Sequence, residues 1–232
     1  RLNAGRWAWV WRQDAMKCLN DGELKNMQKK YDWLLFDADE TLFDYPSHIG
    51  LARLAARHGI AWTDEDYAQF QAVNQPLWRA YQEGRIDIGQ LEAQRFADLA
   101  ARTGQPAPQL NRELQLEMAQ LCNLLPGARE LLAAAHGAGI RIGIITNGFA
   151  VQQEPRLRAS DVSQYIDLLI ISELEGFPKP DKRLFEAALR KMKQPAPQRV
   201  LMIGDNPDTD IAGGTRAGMD TAWYNPEGRA CP

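Results

Sequence analysis

Residues 34–41 read Leu-Leu-Phe-Asp-Ala-Asp-Glu-Thr and place two acids, Asp37 and Asp39, directly after a short apolar run. Such a run is typical of a buried strand, and in an open α/β sheet ligands bind at the carboxyl ends of the strands. Two like charges at this spacing repel each other and need a cation or a shared proton nearby. The stretch therefore predicts a divalent metal site, or a nucleophile beside a proton carrier, or both.

Simpler interpretations of this pair stay open on the motif alone. Acids at the end of a strand are common in solvated turns, and Asp39 or Thr41 could cap the start of a helix. A calcium-binding EF-hand loop also begins with two acids at this spacing, but it requires Gly at its sixth position and Glu at its twelfth. Leu42 and His48 stand at those positions, which excludes an EF-hand loop.

The bulk composition is that of an ordinary globular protein. The chain has 232 residues, of which 45% are apolar and 25% charged, and this suits one domain with an insertion or two small domains. The net charge of −3 offers no basic face for nucleic acid, and no apolar stretch reaches the roughly 18 residues of a membrane span. Cys18, Cys122 and Cys231 are far apart, which favours a reducing compartment over a disulfide framework or a zinc site. We therefore expect a cytoplasmic protein that binds neither nucleic acid nor membranes.

From residue 31 onward, short apolar runs alternate with amphipathic segments. Nearly continuous apolar strands separated by helices predict a parallel sheet covered on both faces. The expected strands are 31–36, 140–145, 167–171, 199–203 and 221–224, and the expected helices between the later strands lie near 127–138, 150–160, 181–192 and 208–217.

Residues 44–125 interrupt this alternation and show only helical patterns. Because this block falls between the first strand and the rest of the sheet, we expect a helical domain inserted after the first strand. Its expected helices lie around 47–58, 64–82, 87–103 and 110–121.

The N-terminal residues 1–30 do not fit the alternating pattern either. A strand-like alternation at 6–12 has no neighbouring strand with which to pair. We expect residues 1–26 to be upstream sequence that is not part of the fold, with the domain beginning at Met27. The alternative is a helical extension that docks its tryptophans onto the domain.

Polar residues follow three further expected strands. Thr146-Asn147-Gly148 offers a hydroxyl and backbone N–H groups that suit an anion, Lys179 is fixed between two prolines, and residues 204–210 carry three acids. Each has an ordinary alternative: a strand-to-helix turn, a solvated loop lysine, and a helix N-terminus with favourably placed acids. All of them together at strand ends are improbable by chance, which favours a functional site.

In their order and spacing these motifs resemble those of the haloacid dehalogenase (HAD) superfamily. The D-x-D-x-T element is residues 37–41, the threonine of the second motif is Thr146, the lysine of the third is Lys179, and G-D-x-x-x-x-D spans residues 204–210. The match covers all four motifs of the superfamily.

The resemblance implies the fold class and the domain organisation. We expect an α/β protein with a Rossmann-like parallel sheet (the HAD fold) in a core domain of residues 31–43 and 126–232. A helical C1 cap domain of residues 44–125 would close over the active site and exclude water. Members of the family usually continue with a further strand and helix, whereas this chain stops at Pro232; we therefore expect a truncated core with an exposed sheet edge.

The resemblance also gives the motif residues their roles in phosphoryl transfer. Asp37 would attack phosphorus and form an aspartyl-phosphate, and Asp39 would act first as general acid and then as general base. Dehalogenating members carry no acid at the position of Asp39 and need no metal, so this chain is expected to be a phosphatase, while a phosphomutase stays open. The resemblance further implies that Mg²⁺ is bound by Asp37, Asp205 and the backbone carbonyl of Asp39, while Asp210 supports these ligands. The phosphate is implied to contact Thr146, Asn147 and Lys179.

Residues 33–43, 70–78 and 147–149 are similar to the YjjG-type pyrimidine 5′-nucleotidases. That resemblance implies Mg²⁺-dependent hydrolysis of pyrimidine nucleoside 5′-monophosphates such as dUMP, dTMP and UMP. The sequence leaves open whether the protein is a monomer or a weak homodimer. The alternatives are a phosphatase or phosphomutase acting on sugar phosphates or phosphoglycolate, and a catalytically idle binding module. The side chains expected to contact the base, or else to pack the cap against the core, are Phe43, Asn74, Trp78, Phe149 and Gln152.

Overall fold

The computed structural model describes residues 9–11 and 21–230. Their contacts divide them into two compact units. The sheet unit contains the described residues up to Asp44, together with Asn123–Asn147 and the described residues from Ser160 onward; the helical unit contains Tyr45–Cys122 and Gly148–Ala159. Among the described residues, no helix combines the length and the apolar character that crossing a membrane would require.

The sheet unit is built on six parallel strands. They are β1 Trp9–Trp11, β2 Trp33–Phe36, β3 Arg141–Thr146, β4 Leu168–Ile171, β5 Val200–Gly204 and β6 Asp220–Tyr224. Their order across the sheet is β1-β6-β5-β2-β3-β4, and every neighbouring pair is parallel. The expected parallel α/β sheet is confirmed.

The central position of β2 sets the place of the two acids that follow it. All four residues of β2 are apolar and buried, as a strand with neighbours on both edges and helices on both faces requires. Phe36 is in register with Ile144 of β3 and with Ile203 of β5. The backbone N–H of Asp37 then donates to the carbonyl oxygen of Ile203 at 2.8 Å. The residues that follow β2, β3 and β5 therefore emerge side by side at one edge of the sheet.

Eleven helices occur within the described residues. They are α1 Asp21–Lys30, α2 Ser47–Arg57, α3 Asp64–Gln82, α4 Ile88–Arg95, α5 Ala97–Thr103, α6 Ala107–Leu121, α7 Ala128–Gly137, α8 Ala150–Ala159, α9 Ser172–Glu175, α10 Lys182–Lys191 and α11 Ala212–Arg216. Of these, α2 to α6 and α8 belong to the helical unit. In the sheet unit, one apolar layer joins Leu184, Phe185 and Ala188 of α10 to Trp33, Leu35 and Met202 of the sheet.

Two expected helices are interrupted. The segment 87–103 divides into α4 and α5 at Phe96, whose φ of −103° and ψ of 7° depart from helical values, while its ring is fully buried. The segment 208–217 begins as a π-helical turn over Pro207–Ile211 and continues as α11. Asn206 fixes that turn, because its side-chain oxygen accepts from the backbone N–H groups of Asp208 and Thr209.

The structure also corrects the expectation that the N-terminal alternation has no partner strand. Trp9–Trp11 pairs in parallel with Ala222–Tyr224 of β6, so the edge of β6 that we expected to be exposed carries a strand. Residues 1–8 and 12–20 lie outside the described residues, and the origin of residues 1–26 stays a prediction. A further difference concerns α8, which groups with the helical unit and not with the core, because it packs on α6.

Candidate active site

Three carboxylates converge at the carboxyl edge of the sheet. Asp37 directly follows β2, Asp205 directly follows β5, and Asp210 lies in the π-helical turn after it. One oxygen from each carboxylate lies within 4.8 Å of the others. Asp37 is 7% exposed and Asp210 is fully buried, so their charges are poorly screened by water.

Lys179 supplies the cation of this cluster. Its side chain is 2% exposed, and its Nζ contacts Asp37 Oδ1, Asp210 Oδ1 at 2.8 Å and the carbonyl oxygen of Ile145 at 3.0 Å. An ammonium has three donors, and these three oxygens match them. The lysine is therefore held in one position between two of the acids.

Two strand-end residues form the side of the site that follows β3. Thr146, the last residue of β3, is 1% exposed. Asn147 holds the main chain of Lys179, because its Nδ2 donates to the Lys179 carbonyl at 3.0 Å and its Oδ1 accepts from the Lys179 N–H at 2.7 Å. The Asn147 side chain thus positions the lysine, while the predicted phosphate contact of Asn147 stays a prediction.

Thr41 connects two of the acids, a role that the sequence analysis did not assign. Its hydroxyl lies 3.5 Å from Asp37 Oδ2 as donor and accepts from the backbone N–H of Asp205 at 3.0 Å. The residue is fully buried. Its signal in the sequence is its place as the threonine of the D-x-D-x-T element.

The loop after β5 is closed by Asp210. Its Oδ2 accepts from the backbone N–H of Asn206 at 3.1 Å, and a Cβ atom at Gly204 would overlap its carboxylate. The carbonyl oxygen of Asp205 accepts from Trp223 Nε1 at 2.9 Å and from Arg229 Nη2 at 3.2 Å. The backbone on which Asp205 stands is therefore held from several directions.

Burial dominates the electrostatics of the cluster. It raises the pKa of Asp37 well above the ordinary value, although the charge of Lys179 opposes that rise. It also raises the pKa of Asp205 to about 7, and the neighbouring charge of Asp210 adds to this effect. Burial alone would lower the pKa of Lys179, but the carboxylates of Asp210 and Asp37 outweigh it and raise the pKa. Three acids thus share one cation in a poorly hydrated place.

This donor set fits a hard divalent cation. Mg²⁺ and Ca²⁺ prefer carboxylate and carbonyl oxygens, and the group of Asp37, Asp205 and Asp210 provides carboxylates with one matched cation among them. The Asp39 side chain does not belong to this group. Asp39 lies in the tight turn in which the N–H groups of Leu42 and Phe43 donate to the carbonyl oxygen of Ala38.

The side chains expected to contact a base are divided between the two units. Within the helical unit, the rings of Trp78 and Phe149 meet edge to face with centroids 5.9 Å apart, and Asn74 Oδ1 accepts a long hydrogen bond of 3.5 Å from Arg95. Gln152 is fully buried in the same unit, and its Nε2 lies 3.7 Å from Cys122 Sγ. Phe43 is a fully buried residue of the sheet unit, which favours a packing role for it. Arg95, the donor to Asn74, is a buried residue of the helical unit that the sequence patterns did not single out.

Comparison with known proteins identifies the family. The sequence model of the haloacid dehalogenase-like hydrolases matches residues 31–218. The chain belongs to this family. The match includes every acid of the cluster together with Thr41, Thr146 and Lys179, so the HAD hydrolase motifs and the observed cluster coincide.

Relatives within the HAD family cover most of this chain. It is 45% identical to the pyrimidine 5′-nucleotidase YjjG of Escherichia coli over 203 residues, or 88% of this chain and 90% of that protein. It is 32% identical to the pyrimidine 5′-nucleotidase PynA of Streptococcus pneumoniae, over 84% of each protein. The crystal structure of the putative HAD-hydrolase YfnB of Bacillus subtilis, bound to magnesium, matches with a TM-score of 0.76 and 32% identity over 88% of this chain and 92% of that chain.

Proposed function

We propose that this HAD hydrolase is a Mg²⁺-dependent phosphatase that hydrolyses pyrimidine nucleoside 5′-monophosphates of the dUMP, dTMP and UMP type. The observation that carries the reaction class is the cluster of Asp37, Asp205 and Asp210 around Lys179. The substrate class is supported by the 45% identity to a pyrimidine 5′-nucleotidase. The few, widely spaced cysteines support a cytoplasmic location.

The two acids after β2 would divide the reaction into two steps. A carboxylate oxygen of Asp37 attacks phosphorus, and the bond between phosphorus and the 5′ oxygen of the nucleoside breaks while Asp39 donates a proton to that oxygen. Asp39 then takes a proton from a water molecule, which attacks the aspartyl-phosphate. Inorganic phosphate leaves and the Asp37 carboxylate is restored.

The remaining residues would stabilise charge on the phosphoryl group. Lys179 reaches Asp37, so its ammonium can also contact a phosphoryl oxygen beside the nucleophile, and the Thr146 hydroxyl is proposed to donate to another. Asp37, Asp205 and the backbone carbonyl of Asp39 would hold Mg²⁺, supported by Asp210. When bound, Mg²⁺ supplies positive charge that offsets the charge of the phosphoryl oxygens.

A phosphate-release screen tests this proposal. The protein is incubated with pyrimidine and purine nucleoside monophosphates, sugar phosphates and phosphoglycolate, each with Mg²⁺ and with EDTA, and Asp37→Asn serves as the control. We expect release from pyrimidine nucleotides in Mg²⁺ only, and none from the variant. Release from sugar phosphates alone would contradict the nucleotidase proposal, and no release by folded protein would contradict the phosphatase proposal.

A further inference from the structure

Arg95 is a buried cation in the helical unit that, within the part of the chain that the structure describes, donates hydrogen bonds to neutral amides. It is 5% exposed, and burial lowers its pKa to about 10. Its guanidinium donates to two side-chain amides, Asn74 Oδ1 and Asn111 Oδ1. Its Nε–H is buried and has no acceptor among the described residues.

This arrangement leaves binding capacity in the guanidinium. A guanidinium carries five donors in a planar fork, and the two amides accept two of them. Asn111 in turn donates to Glu92 Oε1 at 2.5 Å, and the charge of Glu92 partly opposes the effect of burial on the pKa of Arg95. Burying a charge without ion pairs and complete hydrogen bonding is costly, and a ligand with carbonyl oxygens would satisfy the remaining donors.

Aromatic rings surround the same guanidinium. Its Cζ lies 5.7 Å from the ring centroid of Trp78, 5.1 Å from that of Phe96 and 5.0 Å from that of Phe149. Trp78 and Asn74 are only half-buried, so one side of this cluster faces outward. In the sequence, Phe149 stands two residues after Asn147, directly beyond the predicted phosphate-binding residues. Polar donors beside aromatic rings suit a flat heterocycle.

We propose that Arg95 and Asn74 bind the exocyclic carbonyl oxygens of the substrate's pyrimidine base, and that Trp78 and Phe149 contact its ring. This rests on the function proposed above and adds the residue that distinguishes the bases. Uracil and thymine carry two exocyclic carbonyls, cytosine carries one and adenine carries none. The expected order of kcat/KM is therefore dUMP and dTMP first, then dCMP, then dAMP.

The test compares a substrate that has a base with one that lacks it. For Arg95→Met we expect KM for dUMP to rise by about 10- to 100-fold, as for loss of hydrogen bonds to a charged group. The kcat/KM for 2-deoxyribose 5-phosphate, which has no base, should stay within about twofold. Arg102→Met is the matched control, because Arg102 also lies over a tryptophan, Trp62, but has Asp66 as its ion-pair partner. Arg102→Met should leave kcat/KM unchanged for both substrates.

Asn74→Ala and Arg95→Lys extend the test, and circular dichroism establishes that each variant is folded. Asn74→Ala alters a half-buried side chain and should disturb the fold less than Arg95→Met does. It therefore tests the base-binding role if Arg95→Met does not fold, and it should raise KM for dUMP but not for 2-deoxyribose 5-phosphate. An equal loss on both substrates, or an unchanged preference for dUMP in the folded variants, would overturn the role of Arg95. A wild-type protein that hydrolyses sugar phosphates and no pyrimidine nucleotide would instead overturn the proposed function on which this role rests.

Discussion

The metal-free protein should lose stability as pH rises, and Asp205→Asn should remove much of that loss. Burial raises the pKa of Asp205 from its ordinary 3.8 to about 7. Between those values the folded state binds more protons than the unfolded state, so the free energy of unfolding falls as pH rises and levels off above the folded pKa. The full shift corresponds to at most about 4 kcal/mol. About half of that, roughly 2 kcal/mol, should be lost between about pH 5.5 and pH 8.

Urea unfolding in EDTA at the two pH values measures this loss. The free energy of unfolding of the wild type should fall by about 2 kcal/mol or more on going to the higher pH. Burial also raises the pKa of Asp37, and this makes the free energy of unfolding fall further as pH rises. Asp205→Asn should retain only the part that Asp37 contributes. Asp208→Asn is the matched control, since it removes an exposed acid of the same loop and should keep the wild-type slope.

Two results would refute this reasoning. One is a wild-type protein whose free energy of unfolding in EDTA is the same at both pH values. The other is an Asp205→Asn variant that keeps the full wild-type slope. Adding Mg²⁺ at the higher pH should stabilise wild type, because a bound cation favours the ionised acids, and it should stabilise Asp205→Asn much less.

Three further substitutions test the contacts around the nucleophile. Lys179→Met leaves Asp37 and Asp210 buried without their cation and should lower the free energy of unfolding in urea by about 3–5 kcal/mol. Adding Asp210→Asn to this variant should restore part of that free energy. An unchanged free energy of unfolding in the single variant would contradict the buried ion pairs. Gly204→Ala places a methyl group against the Asp210 carboxylate and should lower the free energy of unfolding by about 1–3 kcal/mol. It should also weaken Mg²⁺ binding measured by calorimetry. An unchanged affinity would show that the carboxylate can move. Asn147→Ala removes both hydrogen bonds to the Lys179 main chain and should lower kcat about tenfold or more with little change in KM; a change in KM alone would indicate a substrate contact instead.

Local sequence patterns were sufficient to predict five of the six strands of the sheet. The four apolar residues of β2 are buried on both faces, and each later strand of the predicted set lies close to its expected bounds. Where the patterns failed, the cause was long-range or conformational. Trp9–Trp11 pairs with a strand more than 200 residues away in the chain, and the helical periodicity of 87–103 continues through Phe96 although the backbone there does not.

The contacts within the site were less predictable than its residue types. Asp37, Lys179 and Asp205 could be chosen because acids and a lysine follow successive strands. The hydrogen bonds of Thr41 to Asp205 and of Asn147 to Lys179 could not be predicted. Their partners stand 164 and 32 positions away in the sequence, and only the folded chain brings them together. Arg95 offered a weak signal, since it follows the buried Leu91 by four residues and therefore lies on the same face of α4.

The charge balance of the cluster connects its stability to its chemistry. Lys179 can neutralise one of the three carboxylates of Asp37, Asp205 and Asp210, so two negative charges remain when all three are ionised. In a poorly hydrated site that excess must be met by protons or by a cation, and a divalent cation matches it in charge and in ligand preference. Protonation and cation binding are therefore competing ways of meeting the same excess. The pH at which the loss of stability of the metal-free protein levels off should for this reason be the pH above which Mg²⁺ binds tightly.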